Sequence, residues 1–425
     1  MLDRTIAPSF GKVENSVLPN NEIHHLDNGL PVYVINAGRQ ELLKVELVFP
    51  AGDASSDKKL VAAATSALME EGTTTRTGAA LAEAVDYYGA HLQTEIDADE
   101  SAITLFTLNK YLQETLPVLA EVYHAPSFPE EELEVYARNH SQSAEINEQK
   151  VSHLASRALK GLLYGTEHPL GRGAMPADYL AISRQDVSNH FQTKMNGNIQ
   201  HIMVAGKLTS ATIPLLNSHF GKFALQPSQQ FTSDVVSNGT SQLHLDKADA
   251  VQNSIRMGRV LFNRNHQDYT GMQFLTTVLG GYFGSRLMAN IREDKGYTYG
   301  IGAGLVSMRH TGHLNISTEV GKDVSSAALA EIFFEIEKLR NELVPQKELE
   351  TVRNYLLGVM LKGLDGPFAL ATKWRSYLKY GVGSEAHTDT LCQINEMTST
   401  RLLELAQRYL QEADLKVVTA GAKQA

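Results

Sequence analysis

The sequence predicts an α+β fold made of two tandem homologous halves, each a largely antiparallel sheet with helices packed on one face. Two observations lead to this prediction: an internal repeat with an offset of about 216 residues, and hairpin-like runs that alternate with helix-like runs. The length agrees, because 425 residues exceed the roughly 250–300 residues at which a single core usually stops growing. Hydrophobic residues make up 43% of the chain and charged residues 20%, as in a globular protein.

The repeat is clearest at two predicted helix starts. "PEEELEVYARN" begins at Pro129 and "PQKELETVRN" at Pro345, and both place acidic residues in the first turn, where the helix dipole favours them. Two pairs of strand-like runs keep nearly the same offset. They are "HIMVAGKL" with "KVVTAGAK", each closed by a glycine, and "KVELVF" at Lys44 with "GRVLFN" at Gly258. Three matches near one offset indicate a duplication.

The predicted domains are residues 1–225 and residues 243–425, joined by a polar, turn-rich linker at 226–242. In the first half, "HLQTEIDADESAITLFTLN" predicts a hairpin of two alternating strands around residues 97–100. Each half also contains an apolar stripe at helical spacing, which we predict to be core. The stripes are Leu112, Leu116, Leu119 and Tyr123, then Ile332, Phe333, Ile336 and Leu339.

Composition and charge exclude several classes of function. The formal net charge is −10 with acidic residues spread along the chain, which argues against nucleic-acid or anionic-membrane binding. The single cysteine, Cys392, excludes an intrachain disulfide and a cysteine-based zinc site, and we expect a buried or merely tolerated thiol. No apolar run of about 18 residues is present, and the N-terminal segment lacks the apolar core of a signal peptide. These features predict a cytoplasmic protein without a membrane span and leave the periplasm open.

Residues 61–92, "VAAATSALMEEGTTTRTGAALAEAVDYYGAHL", predict a helix, a glycine stop, a threonine-rich turn, a second helix and the start of a strand. With "LDNGLPVYVI" (residues 26–35) and the duplication, this stretch resembles the insulinase-type (M16, pitrilysin-like) zinc peptidase family, over most of the chain. The resemblance implies tandem α+β halves. Active members carry H-x-x-E-H on this helix, where two histidines one turn apart bind zinc and the glutamate activates the zinc-bound water.

The family motif, anchored on Gly72, places its first histidine at Ala63, its glutamate at Ser66 and its second histidine at Ala67. The resemblance therefore implies a degenerate site that holds no metal. The family's third ligand, a glutamate further along the chain, corresponds to Glu145 within a residue or two. One carboxylate without imidazoles does not hold zinc tightly, so Glu145 is expected to be a remnant.

The remaining histidines offer no substitute site. His24 and His25 fall in a predicted turn, and His310 and His313 fall in a predicted strand or loop, where a three-residue spacing does not converge on one metal. We expect these to be surface histidines.

The first half lacks the zinc-binding residues of the family, but the second half carries a different family feature, an arginine–tyrosine pair. "SRLMANIREDKGYTYGIGAG" resembles the family segment that carries an arginine and a tyrosine seven residues apart, here Arg292 and Tyr299. The resemblance implies that this pair binds the substrate peptide, since a guanidinium and a phenol can donate to the scissile carbonyl or to the oxyanion. From the residues alone, Arg292 could instead pair with Glu293 or Asp294 at a helix end, and Tyr299 could be a core aromatic.

Two glycine-containing segments are not assigned chemistry. "LGGYFGSRL", residues 279–287, lacks the strand–GxxxxGK[ST]–helix context of a phosphate loop, and we predict a mobile loop resembling those of the family's non-catalytic subunits. "GTEHPLGRG", residues 165–173, contains His168-Pro169 and is predicted to be a structural turn.

The resemblance implies a metal-free, non-catalytic subunit of a heterodimeric zinc peptidase, similar to the α subunit of mitochondrial processing peptidase. Such a chain binds no cofactor itself, binds peptide, and supplies Arg292 and Tyr299 to the zinc site of a homologous partner with an intact H-x-x-E-H. In isolation it could pair with a second copy of itself. Two other functions stay open: a scaffold in a larger assembly, as the bc1 core subunits are, and a self-sufficient peptidase with an unrecognised site.

Overall fold

The computed structural model describes Thr5, Val13 and residues 16–226 and 239–423. Most of the predicted linker, residues 227–238, lies outside the described residues, so the predicted domain limits of 1–225 and 243–425 stay predictions. Within the described residues, no helix combines the length and the apolar character needed to cross a membrane.

Two sheets form the frame of the molecule. The strands of the first are β1 (Glu22–His25), β2 (Pro31–Asn36), β3 (Leu42–Phe49), β4 (His91–Ile96), β5 (Ser101–Leu108) and β6 (His201–Gly206). The strands of the second are β7 (Gln242–Asp246), β8 (Gln252–Leu261), β9 (Thr298–Ser307), β10 (Gly312–Gly321) and β11 (Lys416–Gly421).

The sheets share one topology. The first has the strand order β1-β2-β6-β3-β5-β4 and the second β7-β11-β8-β10-β9, so the second repeats the first without its edge strand β1. Only β2 with β6 and β7 with β11 pair in parallel; the other pairs are antiparallel. The predicted α+β class and its two homologous halves are confirmed, including the hairpin of β4 and β5.

Helices surround the sheets. Those of the first half are α1 (Val61–Leu68), α2 (Gly78–Asp86), α3 (Leu112–His124), α4 (Glu130–Glu148), α5 (Val151–Tyr164), α6 (Pro176–Leu180), α7 (Arg184–His190) and α8 (Thr212–Phe220). Those of the second are α9 (Tyr269–Thr276), α10 (Ser325–Asn341), α11 (Gln346–Lys362), α12 (Gly366–Lys379), α13 (Glu385–Glu396) and α14 (Ser399–Tyr409). Two π-helical turns, Thr277–Gly281 and Met288–Asp294, lie between α9 and β9.

The repeated helices begin where the sequence predicts. Pro129 and Pro345 stand immediately before α4 and α11, and both helices carry glutamate in their first turn. The predicted stripes lie on α3 and α10 and pack into the two cores, with Phe333 partly buried. Cys392 is exposed on α13, so the thiol is tolerated rather than buried.

Each half contributes one helix that packs on the sheet of the other half. In β2, Val32 and Val34 face the core built with the first half's own helices, whereas Tyr33 and Ile35 face α12 of the second half. Reciprocally, α5 of the first half packs on β8 and β11 of the second sheet. Since α5 and α12 are counterparts in the repeat, the exchange is symmetric. It joins the halves through apolar burial, the dominant favourable term in folding.

A buried ion-pair network also joins the halves. Glu46 of β3, fully buried, accepts from Arg375 of α12 at 2.9 Å and from Lys44 at 3.0 Å. Glu100, also buried, pairs with Arg309 of the β9–β10 turn at 2.6 Å and lies 3.6 Å from Arg375 Nε. Burial raises the pKa of Glu46, but Arg375 and Lys44 outweigh it and hold the pKa below its usual value.

Candidate functional site

Helix α1 carries Ala63, Ser66 and Ala67, the positions that the sequence predicts to correspond to the family's zinc-binding motif. Four alanines, the residue with the highest helix propensity, favour the helix, which packs into the first core through Val61, Ala64 and Leu68. Ser66 is buried, and Ala63 and Ala67 are half-buried. The threonine-rich turn after α1 is fastened by Glu121, whose carboxylate accepts from both Thr73 and Thr75. The helix and the turn that follows it are therefore held in place by core packing and by these hydrogen bonds.

The side chains at these positions do not fit zinc. Methyl groups offer no lone pair, and one hydroxyl does not replace two imidazoles. Glu145 is solvent-exposed on α4, whereas its neighbour Ala144 is buried. Across the described residues, no group of three or more histidine, cysteine, aspartate or glutamate side chains could hold a metal ion.

We therefore expect the purified chain to carry far less than one zinc per molecule after dialysis against a weak chelator. Elemental analysis by plasma mass spectrometry measures this directly. A variant that restores the motif, Ala63→His with Ser66→Glu and Ala67→His, is the informative comparison, since it places the family's ligand types on α1; circular dichroism checks that it still folds. Near-stoichiometric zinc in the unmodified chain would contradict the assignment of Ala63, Ser66 and Ala67.

The histidines lie differently from the prediction. His24 and His25 are in strand β1, not in a turn, because this segment pairs with β2. His313 is buried in β10, where the Tyr164 hydroxyl lies 2.8 Å from its Nδ1, and burial lowers the pKa of His313 to about 4. The surface prediction is thus wrong for His313, which is a core residue between α5 and the second sheet. His310 is exposed, as predicted.

Arg292 and Tyr299 emerge from adjoining elements beside the edge of the second sheet. Arg292 lies in the π-helical turn Met288–Asp294, which packs on β9, and its guanidinium carbon lies 4.6 Å from the ring centroid of Phe283. Among the described residues it makes no ion pair, so the expected alternatives Glu293 and Asp294 are not its partners. Tyr299, in β9, is 93% exposed and is not a core aromatic. Both side chains are available to a ligand.

The glycine loop at 279–287 supports this arrangement. An added Cβ at Gly280 would lie 2.6 Å from the backbone nitrogen of Ala303 in β9, so glycine lets the π-helical turn press directly on the strand. Arg286 pairs with Glu348 of α11 at 2.9 Å. Phe283 lies between Gly280 and Arg286, and its side chain is 62% exposed next to Arg292. The sequence prediction missed Phe283, and an aromatic residue between glycines, shortly before an arginine, was the available signal.

Strand β9 is an open edge. It is the last strand of the second sheet, and the first sheet ends in its counterpart β4. In "TYGIGAGLVS" an added Cβ at Gly300 or Gly304 would meet nothing within 4 Å. Small residues on an unpaired edge leave backbone groups accessible to another strand.

Comparison with known proteins identifies the family to which this geometry belongs. Residues 34–170 match the insulinase family (peptidase family M16), and residues 181–356 match the family described as the peptidase M16 inactive domain. The chain belongs to the M16 peptidase family.

Among its relatives, an uncharacterized zinc protease of Mycobacterium leprae is 23% identical over 355 residues, 81% of this chain and 78% of that protein. A non-peptidase homologue of Helicobacter pylori is 23% identical over 392 residues, 89% of each. Of the solved structures, a peptidase M16 inactive domain from Pseudomonas fluorescens has a TM-score of 0.87 at 22% identity and covers 96% of this chain and 99% of its own. A chain of complex III2 from Candida albicans has a TM-score of 0.75 at 14% identity, covering 94% and 95%. These structures share the fold.

Proposed function

We propose that the chain is the metal-free, non-catalytic subunit of a heterodimeric M16-type zinc peptidase. One contrast supports the proposal above all others. The helix that should bind zinc carries Ala63, Ser66 and Ala67, while Arg292 and Tyr299 are accessible and have no ion-pair partner among the described residues. A chain of this kind has substrate-binding groups but no means of activating water. The H. pylori relative described as a non-peptidase homologue agrees with this division of labour.

Substrate peptide would add to the second sheet along β9 as an extended strand. Strand addition uses backbone hydrogen bonds for affinity and is tolerant of sequence. Arg292 stands beside this edge with its guanidinium carbon 4.6 Å from the ring centroid of Phe283, a cation–π contact that does not require its N–H donors to bond an acceptor. Arg292 and the Tyr299 hydroxyl would then donate to the carbonyl oxygen of the scissile bond and to the oxyanion that replaces it.

The partner would be a homologous chain with an intact H-x-x-E-H, and zinc would be bound there. Zinc would supply the activated water and polarise the carbonyl. In the absence of that partner, this chain could pair with a second copy of itself. The cytoplasm is the expected compartment, and the periplasm stays open.

The proposal predicts that peptide cleavage requires both chains. The partner and this chain, purified separately and then mixed, are expected to cleave an unfolded fluorogenic peptide that neither cleaves alone. A chelator should abolish the activity of the mixture, and zinc should restore it. If the partner cleaves equally fast alone, or if this chain cleaves alone, the proposal fails.

A scaffold role is the second candidate, favoured by the fold shared with a chain of complex III2. In that case Arg292 and Tyr299 would be unused, and their substitution would leave every activity of the assembly unchanged. The two candidates therefore differ in one measurable property, the dependence of turnover on Arg292 and Tyr299.

A further inference from the structure

A second concave site lies away from β9, in the first half. Helices α4 and α5 and the segment that leads into α6 enclose a cavity of about 290 Å³. This is near the lower limit of the ~300–1,000 Å³ typical of small-molecule sites, so its occupant should be small. Most of the residues that line it have polar side chains, and they include Arg157, Lys160 and Arg172.

The segment "GTEHPLGRG" contributes Arg172 and Gly173 to the lining of the cavity. An added Cβ at Gly171 would lie 2.1 Å from the carbonyl oxygen of Gly165 and 3.0 Å from that of Lys160 in α5. Glycine at position 171 therefore lets the backbone of this segment lie directly against the end of α5, next to Arg172.

The charges in the cavity are not balanced. Arg157 is neutralised by a bidentate ion pair with Glu148. Arg172 donates instead to the backbone carbonyls of Ser56 at 2.5 Å and Asp57 at 2.8 Å and makes no ion pair with any described residue. Lys160 is exposed, and no ion-pair partner for it exists among the described residues.

One carboxylate, Asp53, stands near these two cations. Burial raises the pKa of Asp53, while Arg172 and Lys160 lower it in part, and its Oδ1 is buried with no hydrogen-bond partner. Asp53 itself does not line the cavity: the lining residues include Arg157, Lys160 and Arg172 but no aspartate or glutamate. In a chain of net charge −10, this is a locally positive cavity.

The opposite wall is aromatic and provides polar hydrogens. The rings of His140 and Tyr179 stack at 5.7 Å with an interplanar angle of 16°. Burial raises the pKa of Tyr179, with Asp53 and Asp178 acting in the same direction, so its hydroxyl stays protonated and can donate. Ser143 lies at the rim.

We propose that this cavity binds a small anion, a carboxylate or a phosphate group, between Lys160 and Arg172. Charge-assisted hydrogen bonds from an ammonium and a guanidinium are those that recognise both groups. The site is independent of β9 and of the proposed peptidase partnership. It is also separate from the former zinc positions, since neither Ala63 nor Ala67 lines it.

Isothermal titration calorimetry of the full chain tests the proposal with three probes at constant low ionic strength. They are inorganic phosphate, acetate and acetamide, none of which has a peptide backbone that could pair with β9. Binding of phosphate alone identifies a phosphate site, and binding of acetate but not acetamide identifies a carboxylate site. Binding of none of them, or equal binding of acetate and acetamide, overturns the proposal.

Two variants locate the binding. Lys160→Gln removes an exposed charge and should weaken the active probe about tenfold, the loss expected for one charge-assisted contact. Ser143→Glu adds a negative charge at the rim, on an exposed residue whose hydroxyl only bonds its own helix at Asn139, and should weaken binding similarly. Lys222→Gln, an exposed lysine elsewhere in the same half, is the matched control. Unchanged affinity in both cavity variants would overturn the assignment.

Discussion

Replacing Arg375 with alanine is expected to lower the free energy of unfolding by about 3 kcal/mol. Removing one partner of a buried ion pair typically costs ~3–5 kcal/mol, because the other charge is left buried without compensation. Here the charge left without its partner is that of Glu46, whose side chain has no exposed surface. We expect the lower end of the range because Lys44 remains 3.0 Å from the same carboxylate. Chemical denaturation monitored by circular dichroism measures the change.

We expect the loss of stability to come from the uncompensated charge of Glu46 and not from the lost packing of the Arg375 side chain. Adding Glu46→Gln to the Arg375→Ala variant removes that charge and should recover part of the stability. Lys207→Ala is the surface control: Lys207 pairs with Glu41 at 3.0 Å, but both side chains are at least half exposed, and such pairs contribute about 0–1 kcal/mol. Equal losses from Arg375→Ala and Lys207→Ala would contradict the argument.

The pH dependence has a definite sign. The pKa of Glu46 in the folded protein is below its usual value of 4.5, so folding favours its ionised form. Its contribution to stability is fully present above pH 4.5 and is lost as the pH falls through the lower, folded pKa. The stability difference between the unmodified protein and Arg375→Ala should therefore shrink in acid. A difference that grows on acidification would show that Glu46 is not the group responsible.

Local patterns were sufficient for much of the fold. The hairpin of β4 and β5 follows from alternation on either side of residues 97–100, and α4 and α11 begin at Pro129 and Pro345, because these features depend on neighbouring residues. The shared offset of these features predicted the two halves. Their common sheet topology confirms it.

Contacts between distant segments could not be predicted in this way. An apolar stripe shows that a helix packs, but not on which sheet. No local pattern therefore indicated that α5 packs on the second sheet and α12 on the first. His313 is buried because Tyr164, in the other half, supplies its hydrogen-bond partner. The contact of Arg292 with Phe283 depends on how the glycine loop folds back. In each case the deciding neighbour is remote in sequence or set by loop geometry.

The second large effect is expected at Arg292. In the reconstituted pair of chains, Arg292→Ala should lower the turnover number about 100- to 1,000-fold, because the loss of one oxyanion donor typically costs ~2.7–4 kcal/mol of transition-state stabilisation. The binding of the two chains should not change, since Arg292 makes no ion pair with any described residue of its own chain. Steady-state kinetics, with size-exclusion chromatography of the complex, measure both quantities.

Graded substitutions separate a donor from a structural residue. Arg292→Lys keeps a positive charge over Phe283 but loses the planar fork, and should fall between the unmodified protein and Arg292→Ala. Tyr299→Phe removes only a hydroxyl from a side chain that is 93% exposed, so any loss of rate reflects that group and not folding. Arg39→Ala, an exposed arginine of the other half, is the control and should have no effect.

The scaffold and peptidase functions predict different turnover numbers for the Arg292→Ala and Arg292→Lys variants. A scaffold has no oxyanion to stabilise, so turnover of the pair would be the same with alanine, lysine or arginine at position 292. A subunit that completes its partner's site gives a graded fall in turnover with little change in assembly, because a group acting only in the transition state lowers kcat and kcat/KM together. A rise in KM alone, at constant kcat, would instead mean that Arg292 holds the peptide without stabilising the oxyanion. The order of the three rates therefore decides what the accessible Arg292 contributes.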